Sequence, residues 1–358
     1  MNAQFTRHEL IFKQASGTSR GVLTTKETYL LEISKNGQKG IGECAIFRGL
    51  SYDDVPDYEE KLTWLCKNIN LDFEVLKKEL LHYPSIIFGL EQALLNLEHC
   101  KDLYFPSDFT DGKDSIKING LIWMGNADFM QSQIEEKLAK GFDCIKLKIG
   151  VDWKSEKEII KKLREKFPKE QLELRVDANG AFSYEEARMV LQELADLGIH
   201  SIEQPIKKSQ VKSKKSQKTD EINSTDCCVP WNEMAKLCAE TPTPIALDEE
   251  LIGVIDFEEK KKLLETIKPQ YIILKPALVG GFSGSDEWIV LAESLGIDWW
   301  ITSALESNIG LNAICQYTYT KKNPLPQGLG TGALFTNNFE THLQLEGDQM
   351  WHKKTPYC

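Results

Sequence analysis

From residue 116 to residue 332, short β-rich runs alternate with amphipathic helical stretches, and this rhythm constrains the fold more than any other feature of the chain. Such alternation is the pattern of βα units around a parallel sheet. The runs are IKINGLIW (116–123), CIKLKIG (144–150), LELRVDAN (172–179), SIEQPI (201–206), PIALDEEL (244–251), YIILKPAL (271–278), WWITSAL (299–305) and PQGLGTG (326–332). Eight in one stretch fit a closed barrel better than a six-stranded open sheet. Between them, WKSEKEIIKKLREKF (153–167) and SYEEARMVLQELADLG (183–198) carry apolar residues at helical spacing. In the second, Ser183 and Glu186 make a capping box, and Gly198 stands where the helix should stop.

Residues 1–112 read differently: strands around FTRHELIF and TYLLEIS, a Gly-rich turn at NGQKGIGE, then helices through YEEKLTWLCKNI and SIIFGLEQALLNLEHC. That is an α+β unit ahead of the barrel at 113–332. The tail, 333–358, contains FETHLQLEGD, a strand too late for the eight and expected to return to the first domain. Residues 207–228 are polar, carry six lysines and offer almost no large apolar side chain, which marks an insertion on the barrel rather than part of its core.

Composition narrows the function classes. Hydrophobic residues at 41% can fill a substantial core, and a formal charge of −11 argues against nucleic acid or an anionic membrane as partner, since both reward basic surfaces. An anionic small-molecule substrate then needs a local cation. The first residues lack the apolar core of a signal peptide, and no run is long and apolar enough to span a membrane, so a cytoplasmic protein is expected. Nine scattered cysteines without a CxxC pair suit reduced thiols and argue against zinc. The oligomeric state stays open.

In a parallel barrel the chemistry sits at the C-terminal strand ends. There the second run carries Lys146 and Lys148, the third Asp177, the fourth Glu203, the fifth Asp248 and the sixth Lys275. Three acids on consecutive strands should converge on one point, where their repulsion needs a cation, and oxygen-only ligands select Mg²⁺ or a similar hard ion, with Mn²⁺ as a substitute. Taken singly, each carboxylate could equally be a helix cap or a surface charge. Lys146 and Lys148, two apart, point to one side of their strand. Crowding by another ammonium, a metal ion and partial burial there should all disfavour the ammonium form and poise a base near neutral pH. Lys275 lies across the barrel and addresses the other face of a substrate carbon.

This ordered set, with DANGAF (177–182), EQP (203–205), ALDE (246–249) and LKP (274–276), resembles the muconate-lactonising-enzyme subgroup of the enolase superfamily. The resemblance implies a (β/α)7β TIM-like barrel with an α+β capping domain built from the N-terminal region and the C-terminal tail. It also implies that Asp177, Glu203 and Asp248 bind the metal, that Lys148 is the base backed by Lys146, and that Lys275 opposes it. A lysine base facing a metal-stabilised enediolate is a known pattern of that superfamily. FKQASGTSRGVL (12–23), GECAIFRGLS (42–51), SALESNIGL (303–311) and GLGT (328–331) resemble o-succinylbenzoate synthases within the subgroup, although SALES replaces an SSLES-like wording. The implied reaction is loss of water from 2-succinyl-6-hydroxy-2,4-cyclohexadiene-1-carboxylate to give 2-succinylbenzoate for menaquinone. By the same resemblance Arg20, in the segment Thr18, Ser19, Arg20, meets a substrate carboxylate, and Asn179 contacts substrate. Backbone N–H groups of Ser303 and Gly328 would hold the succinyl tail, while Glu306 and Ser307 could serve only to cap the next helix.

Two lysines on opposite faces also suit an N-succinylamino acid racemase or a dipeptide epimerase. The latter looks as if it needs an Asp-x-Asp near the eighth strand, and GLGTGALF has none. A non-catalytic binding protein would have no reason to keep all six charged residues.

Overall fold

A computed structural model describes residues 1–18, 21–99, 101–123, 125, 127–208 and 231–353. The chain opens with three antiparallel strands, β1 (Asn2–Thr18), β2 (Gly21–Lys35) and β3 (Gln38–Cys44), followed by helices α1 (Tyr58–Asn68), α2 (Phe73–Glu79) and α3 (Pro84–His99). Side chains alternate across β2, which gives the sheet two working faces. Tyr29, Leu31 and Ile33 pack with Leu62, Leu65 and Leu90 of the helices, while Lys26 and Thr28 turn toward the barrel side, where Leu10, the partner of Lys26, packs against Leu305. The expected Gly-rich turn narrows to Asn36 and Gly37. Gly40 and Gly42 belong to β3, where a Cβ would lie 2.1 Å from Ala93 O and 1.9 Å from Gly89 O, so glycine lets the strand lie directly on α3.

The first predicted barrel run splits in two: β4 (Ser115–Lys117) lies outside the barrel and β5 (Gly120–Ile122) begins it. There follow α4 (Ala127–Ala139), β6 (Cys144–Lys148), α5 (Trp153–Lys166), β7 (Glu173–Asp177), α6 (Tyr184–Asp196), β8 (Ser201–Glu203), α7 (Asn232–Glu240) and β9 (Ile245–Leu247). Next come α8 (Phe257–Ile267), β10 (Tyr271–Leu274), α9 (Pro276–Val279), α10 (Gly281–Ser294), β11 (Asp298–Ile301) and α11 (Asn308–Lys321). Strands β5 to β11 form one parallel sheet in sequence order. The eighth run contributes only single bridging residues: Gln327 pairs with Ile118 and Gly328 with Thr302, which joins the two sheet edges into a ring. Its glycines leave little side chain to make a longer strand. The helices start as their sequences dictate. Ser183 and Glu186 form the capping box of α6, Asp152 caps α5 and Asp256 caps α8, while Gly198 adopts a φ of 62° just beyond α6.

The tail divides in two. β12 (Leu343–Glu346) pairs with β13 (Gln349–His352), and β13 pairs with β4, so these strands form a sheet of their own rather than extending the first sheet. The segment before them lies on β1, through the Phe12 and Phe335 bridge and the Lys13 N–H on Leu334 O at 2.8 Å.

The N-terminal unit docks on the barrel by capping its helices. Glu43 of β3 accepts from the Ser307 and Gly310 N–H groups at the start of α11, at 3.0 and 2.9 Å. Glu91 of α3 accepts from the Phe282 and Ser283 N–H groups at the start of α10, at 2.5 and 3.2 Å. A helix N-terminus leaves N–H groups unsatisfied and carries partial positive charge, so a carboxylate supplied from another unit meets both needs.

Candidate active site

The parallel register fixes the site. Lys148 pairs with Asp177 and Asp177 with Glu203 across β6, β7 and β8, so three charged side chains stand side by side at the strand ends. Asp248 follows β9 directly and Lys275 follows β10. Asp177, Glu203 and Asp248 are each 2% exposed. Burying three carboxylates is costly unless opposite charge comes with them.

That charge comes from three ammonium groups. Lys146 Nζ lies 3.0 Å from Asp177 Oδ2 and also bonds Glu203 Oε2; Lys275 bonds Asp248 Oδ2 and sits 3.7 Å from Glu203 Oε1. Lys148 donates to Asn179 Oδ1 at 2.6 Å and lies 3.4 Å from Asp177 Oδ2. Asn179, at a φ of 44°, donates in turn to Glu249 Oε1 at 3.1 Å. Burial raises the Asp177 pKa, but Lys146, Lys148 and Lys275 outweigh it and hold the group below the carboxylate range. Asp248 goes the other way: burial dominates, with Glu249 and Glu203 adding to it against Lys275, and its pKa lies well above the usual value.

The expected disfavouring of the ammonium form is not seen at Lys146, and the expected meeting of the carboxylates is not seen either. Burial does push down on Lys146 and Lys275, yet Asp177 and Glu203 beside the first, and Asp248 and Glu203 beside the second, raise both above an ordinary lysine. The carboxylates also fail to meet at a point: among the described residues no three acidic, His or Cys side chains are gathered to hold an ion as they stand. Each is instead drawn onto a lysine. The donor set still fits a hard divalent cation, because it is all oxygen and buried, and among the described residues Glu203 Oε1 has no hydrogen-bond partner.

Lys146, Lys148, Asp177, Asn179, Lys275, Ser303 and Gly328 line a single pocket, with Glu203 and Asp248 reached through the lysines bonded to them. Arg20 and Ser19 lie outside the described residues. The backbone donors assigned to the succinyl tail are already used: the Ser303 N–H bonds Gly328 O at 3.1 Å and the Gly328 N–H bonds Ile301 O at 2.8 Å, both in closing the ring. What remains there is the Ser303 hydroxyl, 2.6 Å from that of Thr331. Ser307 does cap its helix, accepting from Ile309 N at 3.2 Å. Sequence reasoning passed over Glu249 and Trp300 as lining residues. The acid directly after Asp248, and the Trp two residues ahead of Thr302 on an alternating strand, were the available signals. Phe47 and Leu50, from the segment after β3, roof the pocket from the N-terminal unit.

These features define the class, a barrel enzyme whose strand ends hold acids between opposed lysines. Residues 130–222 match the family described as enolase C-terminal domain-like. Over 97% of its length the chain is 42% identical to the o-succinylbenzoate synthase of Desulfotalea psychrophila, covering 98% of that protein. The crystal structure of MenC from the same organism superposes with a TM-score of 0.83 at 40% identity, over 98% of this chain and 99% of that one. The N-succinylamino acid racemase of Thermus thermophilus is 33% identical over 84% of this chain and 78% of its own. The L-Ala-D/L-Glu epimerase structure from Bacillus subtilis, at 20% identity and a TM-score of 0.80 over 100% and 97%, shares the fold. The chain belongs to the o-succinylbenzoate synthase family of the enolase superfamily.

Proposed function

We propose that this chain removes water from 2-succinyl-6-hydroxy-2,4-cyclohexadiene-1-carboxylate to form 2-succinylbenzoate in menaquinone biosynthesis, as a carbon–oxygen lyase. The observation that carries the reading is the opposition of Lys148 and Lys275 across three buried strand-end carboxylates, in a chain 42% identical to a synthase of that name. The superfamily uses Mg²⁺, and Asp177, Glu203 and Asp248 would hold it here. When bound, it supplies a fixed double charge that stabilises negative oxygen.

Lys148 takes the proton next to the substrate carboxylate, its amine aimed by Asn179. The ring C–H breaks, its electron pair moves toward the carboxylate, and the C–O bond to the hydroxyl then breaks; proton and hydroxide together make one water. Lys275 stays protonated and stabilises the ring and developing charge electrostatically. Lys146 holds Asp177 and Glu203 in place. Asn179, Ser303 through its hydroxyl, and Arg20 are the substrate-binding candidates. The product's aromaticity favours the step. The substrate is a small anion met in the cytoplasm rather than nucleic acid or membrane; among the described residues no helix is long and apolar enough to cross a bilayer.

The test is to incubate the purified chain with Mg²⁺ and the cyclohexadiene and follow aromatic absorbance. Absence of turnover sinks the reading. The 33% identity to an N-succinylamino acid racemase makes racemisation of N-succinyl amino acids the parallel assay, and turnover there far above dehydration would overturn the assignment.

A further inference from the structure

Behind the pocket wall, where the N-terminal sheet meets the loop after β11, lies a second buried charged cluster that the mechanism does not use. Lys26 of β2 is 6% exposed, and among the described residues its ammonium has no hydrogen-bond partner. Its charged neighbours are Glu43 of β3 and Glu306 of the barrel loop, both fully buried. Glu43 is already committed: Oε1 accepts from Thr28 Oγ1 and Ser307 N, and Oε2 from Ser307 Oγ and Gly310 N. Glu306 is half committed. Its Oε2 accepts from Ala304 N at 2.7 Å, while Oε1 is buried without a partner. Among the described residues the cluster therefore holds one unused cationic donor and one unused carboxylate oxygen, on opposite sides of the seam, and leaving both unpaired while buried is costly.

The turn held by Glu306 shapes the pocket. Ser303, Ala304 and Leu305 all line it, and Leu305 has a φ of 62°, a left-handed conformation that a branched, non-glycine residue keeps only under outside constraint. Its side chain packs against Leu10, Phe12 and Phe335 at the foot of the β1–β2 hairpin. The constraint on its backbone is the Ala304 N–H bond to Glu306.

The geometry points to Lys26 and Glu306 as positioning residues that couple the N-terminal sheet to the 303–305 wall. The ammonium, without bonding the carboxylate directly, offsets its charge across the seam, where Leu10, the strand partner of Lys26, packs with Leu305 next to Glu306, so the hairpin and the pocket wall move as one body. The catalytic consequence rests on the dehydration reading above, but the structural coupling does not, and the experiment separates them. Hydrogen exchange by mass spectrometry on the full chain compares the wild type with Lys26→Met, Lys26→Arg and Glu306→Gln. Amides 304–310 should exchange at least about tenfold faster in Lys26→Met and Glu306→Gln, with strands β6 and β7 unchanged and Lys26→Arg close to wild type. In kinetics, Lys26→Met should raise KM about tenfold with kcat within about threefold, and the double variant should be little worse than the worse single one. Unchanged exchange at 304–310, or exchange raised equally throughout the barrel, overturns the coupling. A wild-type KM alongside faster exchange would overturn the positioning role alone, and a wild type inactive on the cyclohexadiene would count against the dehydration reading and not against the coupling.

Discussion

The buried charged groups at the barrel mouth and those at the seam between the N-terminal unit and the barrel are balanced in opposite ways. At the barrel mouth, three lysines face Asp177, Glu203 and Asp248, and mutual attraction raises Lys146 and Lys275 against the pull of burial. At the seam, acids outnumber cations: burial pushes Glu306 and Glu91 up to about 7 and Lys26 down, and backbone N–H groups take the place of counter-ions. Lys146 and Lys275 are thereby held charged, and so is Asp177, while Asp248 is the one acid of the mouth in which burial outweighs its lysine. At the seam Glu43 and Glu91 bond backbone N–H groups at the starts of α11 and α10, which ties the two units together without a matching set of lysines. Burial alone does not tell a reactive cluster from a structural one; the ratio of opposite charges does.

The largest effect should come from Lys148→Ala. Removing the base should lower kcat by about 10³-fold or more, since general base catalysis is worth up to roughly four orders of magnitude. Unfolding monitored alongside should show a native fold, and an activity loss below about tenfold would move the base elsewhere. Next come Asp177→Asn, Glu203→Gln and Asp248→Asn, each expected to lose about 10²-fold or more, with excess chelator abolishing wild-type turnover. Turnover surviving the chelator would leave the mouth as a purely ionic cluster. Lys275 sharpens the contrast within the mouth itself. Lys275→Ala should cost about 10²-fold in dehydration, whereas Lys275→Arg should recover part of it, because guanidinium keeps the charge but cannot act as a base. Racemisation of N-succinyl amino acids should not recover. Equal loss of both activities in the arginine variant would make Lys275 a proton carrier.

The smallest effect belongs to the seam and concerns pH. The Glu91 pKa is raised from 4.5 to about 7, chiefly by burial, so the folded state keeps a proton that the unfolded state releases. Its contribution is therefore full below pH 4.5 and is lost as pH rises to about 7, by up to about 3 kcal/mol. Denaturant midpoints of wild type and Glu91→Gln should diverge across that window, with the glutamine variant gaining on the wild type as pH rises. Parallel curves would mean that the two bonds from α10 hold Glu91 ionised throughout.

The mouth was legible in the sequence because it is written in strand ends: a residue's place on a β-run of a parallel barrel tells where its side chain goes. Asp177, Glu203, Asp248 and the three lysines all followed from that rule. The seam was not legible, because Ser307 and Glu43 are 264 residues apart and nothing in TTKETY or GECAIF announces a partner in SALES. The same limit hid the use of the Ser303 and Gly328 N–H groups, since their partners belong to ring closure rather than to any local pattern. The direction of the lysine shifts was missed for a different reason. Crowding by ammonium groups was foreseen, but the number of carboxylates reaching each lysine depends on side-chain geometry.

The closing stave of the barrel, two bridges at Gln327 and Gly328, bears on how the chain assembles. Gln327 makes up for the missing strand with its side chain, accepting from Ile301 N at 2.8 Å and donating to Leu325 O at 2.6 Å, while Arg175 binds Pro326 O at 2.9 Å from inside. Its partner Ile118 lies about two hundred residues earlier, so the clasp gains nothing until almost the whole ring has been laid down, and the entropy of closing so long a loop delays it further. On a ribosome the start of the barrel must therefore wait, its edge unpaired, until Gln327 and Gly328 have emerged. For that interval the stretch Lys117–Asn119, just ahead of β5, is an open template for a neighbouring chain, and it is shut when Gln327 bonds to it on both sides.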